Sequence, residues 1–374
     1  MSTPSTVHAP TRLHLQSLDI LRGLSALAVF VAHFAQQHLD PSDMGWTGAA
    51  LELLGVTGVA VFFVLSGFLI HMGALRERER HHDRLDWARY ARRRFWRIAP
   101  AYVLALIVYS VASLELSSNM ITPATWQAFT THLFFVSSFV PGEYQSINAI
   151  FWTVVVEAHF YAMYPVLVTL TRRWSPWATF GLTWLGGMAL FVGGTALTEA
   201  GEVRVMWQHT APVLLWKWTL GMLLAEVAVR GHAPWLRSLL SRTWLIGPVL
   251  LGIWAGTFFW ETPSVELNHK RFVLPFFCAA LVGLFLFSGL KHWRSRLGEW
   301  LGDISYSVYL WHPLALALTL ALPLSGTLLP LLVSLTLTLV MSHASHRFVE
   351  RPAMAFARRD PASSPDGVGH TVAP

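Results

Sequence analysis

The chain has 374 residues, of which 54% are hydrophobic and only 13% are charged. Soluble domains carry about a quarter charged residues, so this composition excludes an ordinary soluble domain. The formal net charge of +6 would suit nucleic acid, but the basic residues lie in short stretches between apolar runs, where membrane topology accounts for them. We therefore expect no nucleic-acid partner. The single cysteine, Cys278, excludes an intrachain disulfide and suggests no thiolate metal site.

Apolar runs long enough to cross a bilayer recur along the chain, which predicts an all-α polytopic membrane protein. Eleven runs are candidates, at roughly 17–37, 50–72, 98–114, 126–140, 150–171, 177–198, 211–230, 244–260, 271–290, 304–323 and 327–347. Segment 76–97 holds nine arginines against four acidic residues, so we expect it in the cytoplasm together with the N-terminus. The later basic stretches reach the same side only if the short, polar run at 126–140 does not cross, and we interpret that run as re-entrant or interfacial. The prediction is ten transmembrane helices around an interior polar cavity, with both termini cytoplasmic.

Composition divides the chain into three parts. Residues 1–16 are largely polar and form a cytoplasmic N-terminal segment, and residues 17–351 form the transmembrane domain. Residues 352–374 are rich in Pro, Ser, Ala and Gly and are expected to be a disordered cytoplasmic tail. Asp19 and Arg22 interrupt the first apolar run, so we expect an uncleaved first span rather than a signal peptide.

Two ionisable residues share one face of the first span. Arg22 and His33 are eleven positions apart, which brings them to within roughly 20° on a helix and about 16 Å apart along its axis. Ionisable side chains inside a bilayer usually face a polar interior, so this face is expected to line a cavity. There His33 would accept a proton from a hydroxyl, and Arg22 would offer a fixed charge. The structural alternatives are a local pair between Arg22 and Asp19 and a core hydrogen bond for His33.

The basic segment ends in arginines interleaved with aromatic residues. Arg94 and Arg97 lie at i, i+3 and share a helix face. Guanidinium groups beside flat rings suit phosphates and a stacked adenine, which indicates a site for a cytosolic nucleotide-containing donor, with Arg93 beside it. His71, at the cytoplasmic end of the second run, is expected to contact the same donor. The alternative is that these arginines only contact anionic lipid headgroups.

A carboxylate lies within the run at 150–171. Glu157, in the stretch from Trp152 to Tyr161, needs a partner when it is buried. The first span runs outward and this span runs inward, so Glu157 and His33 are expected at similar depth. Glu157 would then orient His33 and stabilise its imidazolium. The alternative is a purely structural pair with an interior Arg or His.

Other polar residues in the apolar runs have less specific patterns. Ser66 and Gly67 are interpreted as helix-packing residues rather than as a catalytic serine site. Tyr306 has the default role of an interfacial aromatic, while His312, followed by Pro313, lies at a helix irregularity and is expected to point inward. The sequence contains no P-loop, HExxH, GxSxG or DxD-type cluster, so we expect no metal and no triad hydrolase.

Six short motifs, in this order, resemble those of the acyltransferase 3 family, the integral-membrane O-acyltransferases of bacterial envelopes. They are Asp19 to Gly23 with His33, Ser66 to Phe68, Arg94 with Arg97, Trp152 to Glu157 followed by Phe160 and Tyr161, Ile304 to His312, and Arg347 to Pro352. Each motif alone is unspecific, but the six together cover nearly the whole chain up to about residue 352.

The resemblance implies an enzyme that moves an acyl group, by default acetyl, from cytosolic acyl-CoA to a hydroxyl of a carbohydrate or glycoconjugate. The reaction would occur at the outer face of the bacterial inner (cytoplasmic) membrane. The family's working residues correspond here to His33, Arg22, Arg94, Arg97 and Glu157. Candidate substrate-binding residues near them are Trp152, Tyr161, Tyr306 and His312.

The chain departs from the family pattern at one motif. The family usually has Trp-Ser-Leu before its Glu, whereas Trp152 is followed here by Thr153 and Val154. Thr153 keeps a hydroxyl, so we expect the site to survive and the acceptor preference to differ. The SGNH-type hydrolase domain fused to some relatives is not in this sequence, so the membrane domain is expected to act alone or with a separate envelope-biosynthesis protein.

The expected mechanism is direct transfer, in which His33 removes the acceptor proton during attack on the thioester, and an acyl-His33 intermediate ranks second. A rival function is a secondary transporter or flippase of an envelope intermediate that uses Arg22, His33 and Glu157 as a proton relay. The sequence lacks the paired halves that many transporters show. A purely structural membrane scaffold ranks third, because such a protein does not need so many ionisable groups in its interior.

Overall fold

The computed structural model describes residues 12–80, 84–116, 118–199, 201–259 and 269–359. Within these ranges the chain is helical, and β-pairing is limited to isolated bridges among Ser118, Ile121 and Asn148. The helices are α1 Arg12–His38, α2 Pro41–Arg80, α3 Trp87–Ala112, α4 Trp126–Leu133, α5 Phe151–Arg173, α6 Pro176–Leu197, α7 Glu202–Gln208, α8 Ala211–Arg230, α9 Pro234–Ser241, α10 Thr243–Phe259, α11 His269–Phe287, α12 Arg296–Leu320, α13 Leu328–Ser345 and α14 Arg351–Arg358. The predicted all-α class is confirmed for this part of the chain.

Seven helical segments in the described ranges are long and apolar enough to cross a membrane. They are Gln16–His38, Met44–Arg80, Trp87–Ala112, Phe151–Arg173, Pro176–Leu197, Glu202–Arg230 and Leu328–Arg358. The number becomes eight if α9 and α10, bent by 85° relative to each other, form one broken span. The apolar part of α11, Phe272–Phe287, is shorter, and α12 begins with charged residues. These helices support a multi-pass membrane protein, while ten crossings and cytoplasmic termini stay predictions.

The run at 126–140 does not form a long helix. It contains only α4, which has eight residues, and a 3₁₀ turn over Ser137–Phe139. Eight helical residues extend about 12 Å, which is much less than the roughly 30 Å of bilayer hydrocarbon. This length agrees with the interpretation of the run as a segment that does not cross.

Glycines allow the central helices to approach closely. A Cβ atom on Gly302 of α12 would lie 2.2 Å from the carbonyl oxygen of Asp19 on α1. A Cβ on Gly67 of α2 would lie 2.0 Å from the carbonyl oxygen of Trp218 on α8, and one on Gly221 of α8 would meet α2 equally closely. Small residues give membrane helices this backbone contact. They fix α12 against α1 and α8 against α2, and so set the walls of the interior.

Helices continue past both predicted limits of the transmembrane domain, residues 17 and 351. α1 begins at Arg12, inside the predicted N-terminal segment 1–16, and α14 continues to Arg358, inside the predicted disordered tail. α14 is helical because a π-turn over His346–Glu350 continues α13 directly into it, and its Phe356 packs on Trp96 of α3 with ring centroids 4.8 Å apart. The remaining parts of those two predictions, residues 1–11 and 360–374, lie outside the described residues.

Candidate functional site

A cavity opens between α1, α2, α3, α5 and α12, and it contains most of the polar residues that the sequence singled out. Its lining includes the guanidinium groups of Arg22, Arg94 and Arg97 and the carboxylate of Glu157. Apolar side chains of α2 make up much of the remaining wall. Three guanidinium groups and one carboxylate thus face the same cavity. We call the part lined by the three arginines the arginine end.

Arg22 is held against α12. Its Nη2 lies 2.9 Å from Asp19 Oδ1 and donates to the carbonyl oxygen of Gly302 at 2.7 Å, and its Nε donates to Ser305 Oγ at 3.1 Å. The local pair with Asp19, one of the two alternatives for this residue, is therefore present. The side chain also lines the cavity, whereas His33, on the same helix face, is not part of the lining.

Arg94 and Arg97, one turn apart on α3, meet different surroundings. The guanidinium of Arg94 lies 5.8 Å from the ring centroids of both Tyr90 and Tyr161, which is the distance of a cation–π contact. Arg97 Nη1 lies 3.1 Å from Oε2 of Glu350, a carboxylate that is 1% exposed. Among the described residues Arg94 has no carboxylate within ion-pair distance. The charge of Arg94 is thus available to a ligand, and that of Arg97 is largely neutralised.

Glu350 is a site residue that the sequence reasoning did not single out. It also accepts a short hydrogen bond from Ser307 Oγ of α12, so it joins α3, α12 and the π-turn. The signal was present in the sequence, since the closing motif from Arg347 to Pro352 contains one acidic residue among basic ones. Tyr306, a predicted substrate residue, lines the cavity beside this cluster and lies 5.6 Å from the Arg97 guanidinium.

Glu157 does not contact His33, which corrects the expectation that it orients the imidazole. Its Oε1 accepts hydrogen bonds from Ser66 Oγ at 2.7 Å and from Tyr161 Oη at 2.6 Å. Ser66 in turn accepts a hydrogen bond from the indole of Trp218 at 3.2 Å. Tyr161 lies one turn away on α5, and Ser66 lies on the neighbouring helix α2. Both hydroxyls donate to the same carboxylate oxygen, so the hydrogen-bond partners of Glu157 lie on α5 and α2 and not on α1. Ser66 is therefore more than a packing residue.

His33 pairs instead with His312 of α12. His33 Nδ1 lies 2.8 Å from His312 Nε2, and the two rings are nearly coplanar, with an angle of 6° between them. The helix face shared by Arg22 and His33 is turned toward α12 at both ends, as their spacing predicts. His312 is fully buried and points inward, also as predicted, and its ring lies 5.9 Å from that of Tyr309, which lines the cavity.

We call the His33–His312 pair the histidine end of the site. Tyr309 connects it with the cavity and forms a 2.8 Å hydrogen bond with Thr153 Oγ1. Thr153 is the residue at which this chain departs from the family pattern, and it belongs to the cavity lining. The expectation that threonine preserves a hydroxyl at this position agrees with this contact.

Five predicted site residues lie outside the lining of this cavity: His33, His312, Arg93, His71 and Trp152. His71 is 1% exposed, and its two ring nitrogens are bonded to Tyr164 Oη at 3.0 Å and to the buried Glu226 at 2.9 Å. Trp152 packs edge-on against Phe63 and lies near His209. His71 faces α8 because the Glu226 carboxylate there requires a partner, so a direct role of His71 in binding a donor is not supported by its position.

A second hollow adjoins the arginine end. Its lining includes Trp87, Tyr90, Arg93 and Arg94, and it shares Ile70 and Arg94 with the main cavity. Arg94 therefore faces both spaces, with aromatic rings on either side. Across the described residues, no group of three or more His, Cys, Asp or Glu side chains is placed to hold a metal ion.

Comparisons with known proteins agree on one kind of domain. A family model described as "Acyltransferase domain" matches residues 15–344. The chain is 29% identical to the "Exopolysaccharide production protein ExoZ" of Rhizobium meliloti (strain 1021), over 82% of this chain and 91% of that protein. It is 24% identical to "Nodulation protein 10" of Rhizobium leguminosarum bv. viciae, over 94% and 96% of the two chains.

A third relative is larger. The chain is 23% identical to the "Peptidoglycan O-acetyltransferase OatA" of Listeria monocytogenes, over 91% of this chain and 56% of that protein, so it spans only about half of that relative. No solved structure matches the chain.

Proposed function

The chain belongs to the acyltransferase family whose model covers residues 15–344, and from that membership we propose that it is an integral-membrane O-acyltransferase. It transfers an acyl group, by default acetyl, from acyl-CoA to a hydroxyl of a carbohydrate or glycoconjugate of the bacterial cell envelope. The names of the relatives support this acceptor class, since one is connected with exopolysaccharide production and another with O-acetylation of peptidoglycan. The enzyme acts as a multi-pass protein of the inner membrane, with the arginine end toward the cytoplasm.

The observation that carries the proposal is the un-neutralised Arg94 between two aromatic rings, at the junction of the cavity and the second hollow. Phosphates bind guanidinium groups through charge-assisted hydrogen bonds, and a purine stacks on aromatic side chains. Arg93 and Arg94 hold the phosphates of the donor, and Tyr90 and Trp87 offer rings to its base. Arg22 and Arg97, each paired with a carboxylate, line the wall of the cavity beside them.

The acyl group then extends from the arginine end toward the histidine end. Arg22 and His33 are about 16 Å apart along α1, a distance that a thin, extended donor arm spans. Glu157, Tyr161, Tyr306 and Tyr309 line the cavity and offer hydrogen bonds to the arm or to the acceptor. A narrow and mostly apolar passage also limits hydrolysis of the thioester by water.

His33 is the general base of the transfer. Its imidazole takes the proton of the acceptor hydroxyl as the hydroxyl oxygen attacks the thioester carbonyl. The carbon–sulfur bond breaks, the ester forms, and the imidazolium returns its proton to the departing sulfur, so that a thiol and an O-acyl product leave. No acyl-enzyme is required. Arg22 and Glu157 supply fixed charges of opposite sign on the wall beside this path.

The test uses the full chain, purified into lipid nanodiscs and given radiolabelled acetyl-CoA with an envelope polysaccharide as acceptor. We expect acceptor-dependent release of free thiol and labelled polysaccharide, and a loss of at least about 10²-fold in rate for His33→Ala. His159→Gln, on α5 beside Phe139, is the matched control and keeps the wild-type rate.

Two outcomes contradict the proposal. Full activity of His33→Ala rejects His33 as the base. Movement of an envelope intermediate across proteoliposomes without any loss of thioester supports the rival transporter instead. Separately, an unchanged KM for acetyl-CoA after Arg93→Ala and Arg94→Ala removes the proposed donor site.

A further inference from the structure

Two imidazoles face each other inside the helix bundle, and only one of them has a second fixed partner. His312 is fully buried, and its Nδ1 lies 3.0 Å from the backbone carbonyl oxygen of Val308, one turn earlier on α12. Its other nitrogen, Nε2, lies 2.8 Å from His33 Nδ1. His33 is only partly buried, and His312 is its only hydrogen-bond partner among the described residues.

This arrangement determines which nitrogen carries each proton. A carbonyl oxygen only accepts, so the contact with Val308 requires a proton on His312 Nδ1. A second proton on the same ring would place a charge in a fully buried site without a carboxylate partner in the described residues, at high cost. His312 Nε2 therefore holds a lone pair, and it accepts the hydrogen bond from the Nδ1–H of His33.

The ring geometry agrees with this direction of the bond. The two ring centroids are 5.0 Å apart and the planes differ by only 6°, which is the arrangement of two imidazoles joined nearly end to end. The proton on His33 Nδ1 thus points along the lone pair of its partner, as a strong N–H···N bond requires. Pro313, directly after His312, has no N–H to donate to the helix ladder.

From this geometry we infer that His312 is a positioning residue that holds His33 in the tautomer whose Nε2 accepts the acceptor's proton. The inference rests on the proposed function, in which His33 is the base. When Nε2 takes the proton, the Nδ1–H bond to His312 becomes charge-assisted and stabilises the imidazolium. A triad carboxylate does the same for its histidine, but a neutral ring does so without adding a charge to the bilayer interior.

The first experiment reads the tautomer directly. The chain contains 17 histidines, so ¹⁵N-histidine-labelled wild-type protein in nanodiscs is compared with His33→Gln to assign the His33 resonances. We expect a protonated Nδ1 and an unprotonated Nε2 in His33 above neutral pH, with a scalar coupling across the bond to His312. A proton on Nε2 of neutral His33 overturns the inference without any assumption about activity.

The second experiment separates positioning from structure with two variants of similar size. In His312→Gln the amide nitrogen can donate to Val308 and the amide oxygen can accept from His33, whereas His312→Met offers no comparable acceptor. We expect His312→Met to lower kcat by about 10²-fold with an unchanged KM for acetyl-CoA, and His312→Gln to recover at least a tenth of the wild-type kcat.

The two failures are distinguishable. If His33→Ala is inactive but His312→Met keeps the wild-type kcat, the positioning role is wrong and the proposed function stands. If His33→Ala is active, both the role of His33 as the base and the positioning role of His312 are wrong. Equal losses in the Gln and Met variants, together with an unchanged His33 tautomer in both, assign His312 a packing role only.

Discussion

The arginine end and the histidine end bury polar groups in opposite ways. At the arginine end the side chains are ionised, and the charge of each is neutralised to a different degree. Arg22 is paired with Asp19 and Arg97 with Glu350, whereas Arg94 contacts aromatic rings only. At the histidine end, two uncharged imidazoles satisfy each other and a backbone carbonyl. In the proposed function, one end offers charge to a ligand and the other offers a lone pair.

This contrast predicts separate kinetic roles for the two ends. Charges that contact the same phosphates in the ground state and in the transition state change KM, whereas a base acts only as the reaction proceeds and changes kcat. Glu157 lines the cavity with the three arginines, and its substitution shows which of the two ends it serves.

Among the variants that test the contrast between the two ends, Glu157→Gln is expected to have the largest effect. The amide oxygen can still accept from Ser66 and Tyr161, so the fold is kept while the negative charge is lost. We expect kcat to fall by about 10²-fold with KM for acetyl-CoA nearly unchanged, measured by thiol release. Ser66→Ala, which keeps the charge, is the control and should lose much less. A raised KM at constant kcat would instead place Glu157 with the donor-binding residues.

The next largest effect concerns stability at the arginine end. Glu350→Gln leaves Arg97 without its ion pair in a buried cluster, which is expected to cost about 3 kcal/mol. The measurement is the melting temperature in detergent for the two single variants, Arg97→Met and Glu350→Gln, and for the double variant. The double variant should lose clearly less than the two single losses combined, because the interaction can be lost only once. Additive losses would show that the two groups are energetically independent.

Much of the site was predictable because helix geometry is local. The spacing of Arg22 and His33 placed both on one face, and the structure turns that face toward α12. The inward direction of His312 followed from the cost of a polar group in hydrocarbon. The short run at 126–140 differed from the other runs in its polarity, and it forms only one short helix.

Partner choice could not be predicted, because it depends on contacts between helices far apart in the chain. Glu157 meets Ser66 rather than His33, and Arg97 meets Glu350, which is 253 positions away. His71 faces Glu226 in α8 for the same reason. Each of these pairs satisfies a carboxylate inside the helix bundle. Sequence spacing indicates that such a carboxylate needs a partner but does not identify the partner.

A smaller change in affinity is expected for Arg94→Ala. A charge-assisted hydrogen bond contributes about 1.5–3 kcal/mol, which corresponds to a rise in KM for acetyl-CoA of roughly 10- to 100-fold at an unchanged kcat. Arg94→Lys should recover part of this loss, since lysine keeps the charge but lacks the planar fork. Arg173→Ala, at the exposed end of α5, is the control. If Arg94→Ala changes kcat and leaves KM constant, the division of roles between the two ends is wrong.

The smallest effect concerns His132, a buried histidine that lies away from the cavity. It shows what the burial of an imidazole costs in stability, apart from any role of an imidazole in the reaction. Burial in α4, beside Tyr102 and Ser146, lowers the pKa of His132 from 6.5 to about 4. His132 therefore binds a proton below about pH 6.5 in the unfolded chain, but only below about pH 4 in the folded chain. The contribution of His132 to the free energy of unfolding is therefore constant well above pH 6.5 and falls as the pH drops toward 4. At pH 5 it is about 2 kcal/mol lower than at pH 8.

His132→Gln removes this titration and keeps a polar side chain in the same place. The difference in melting temperature between pH 8 and pH 5 should therefore be smaller in the variant than in the wild type, while acyl transfer at pH 8 is unchanged. An equal difference in both proteins would assign the acid sensitivity to other groups. A loss of transfer at pH 8 would show that α4, although it lies outside the cavity lining, contributes to the site through the Tyr102 contact.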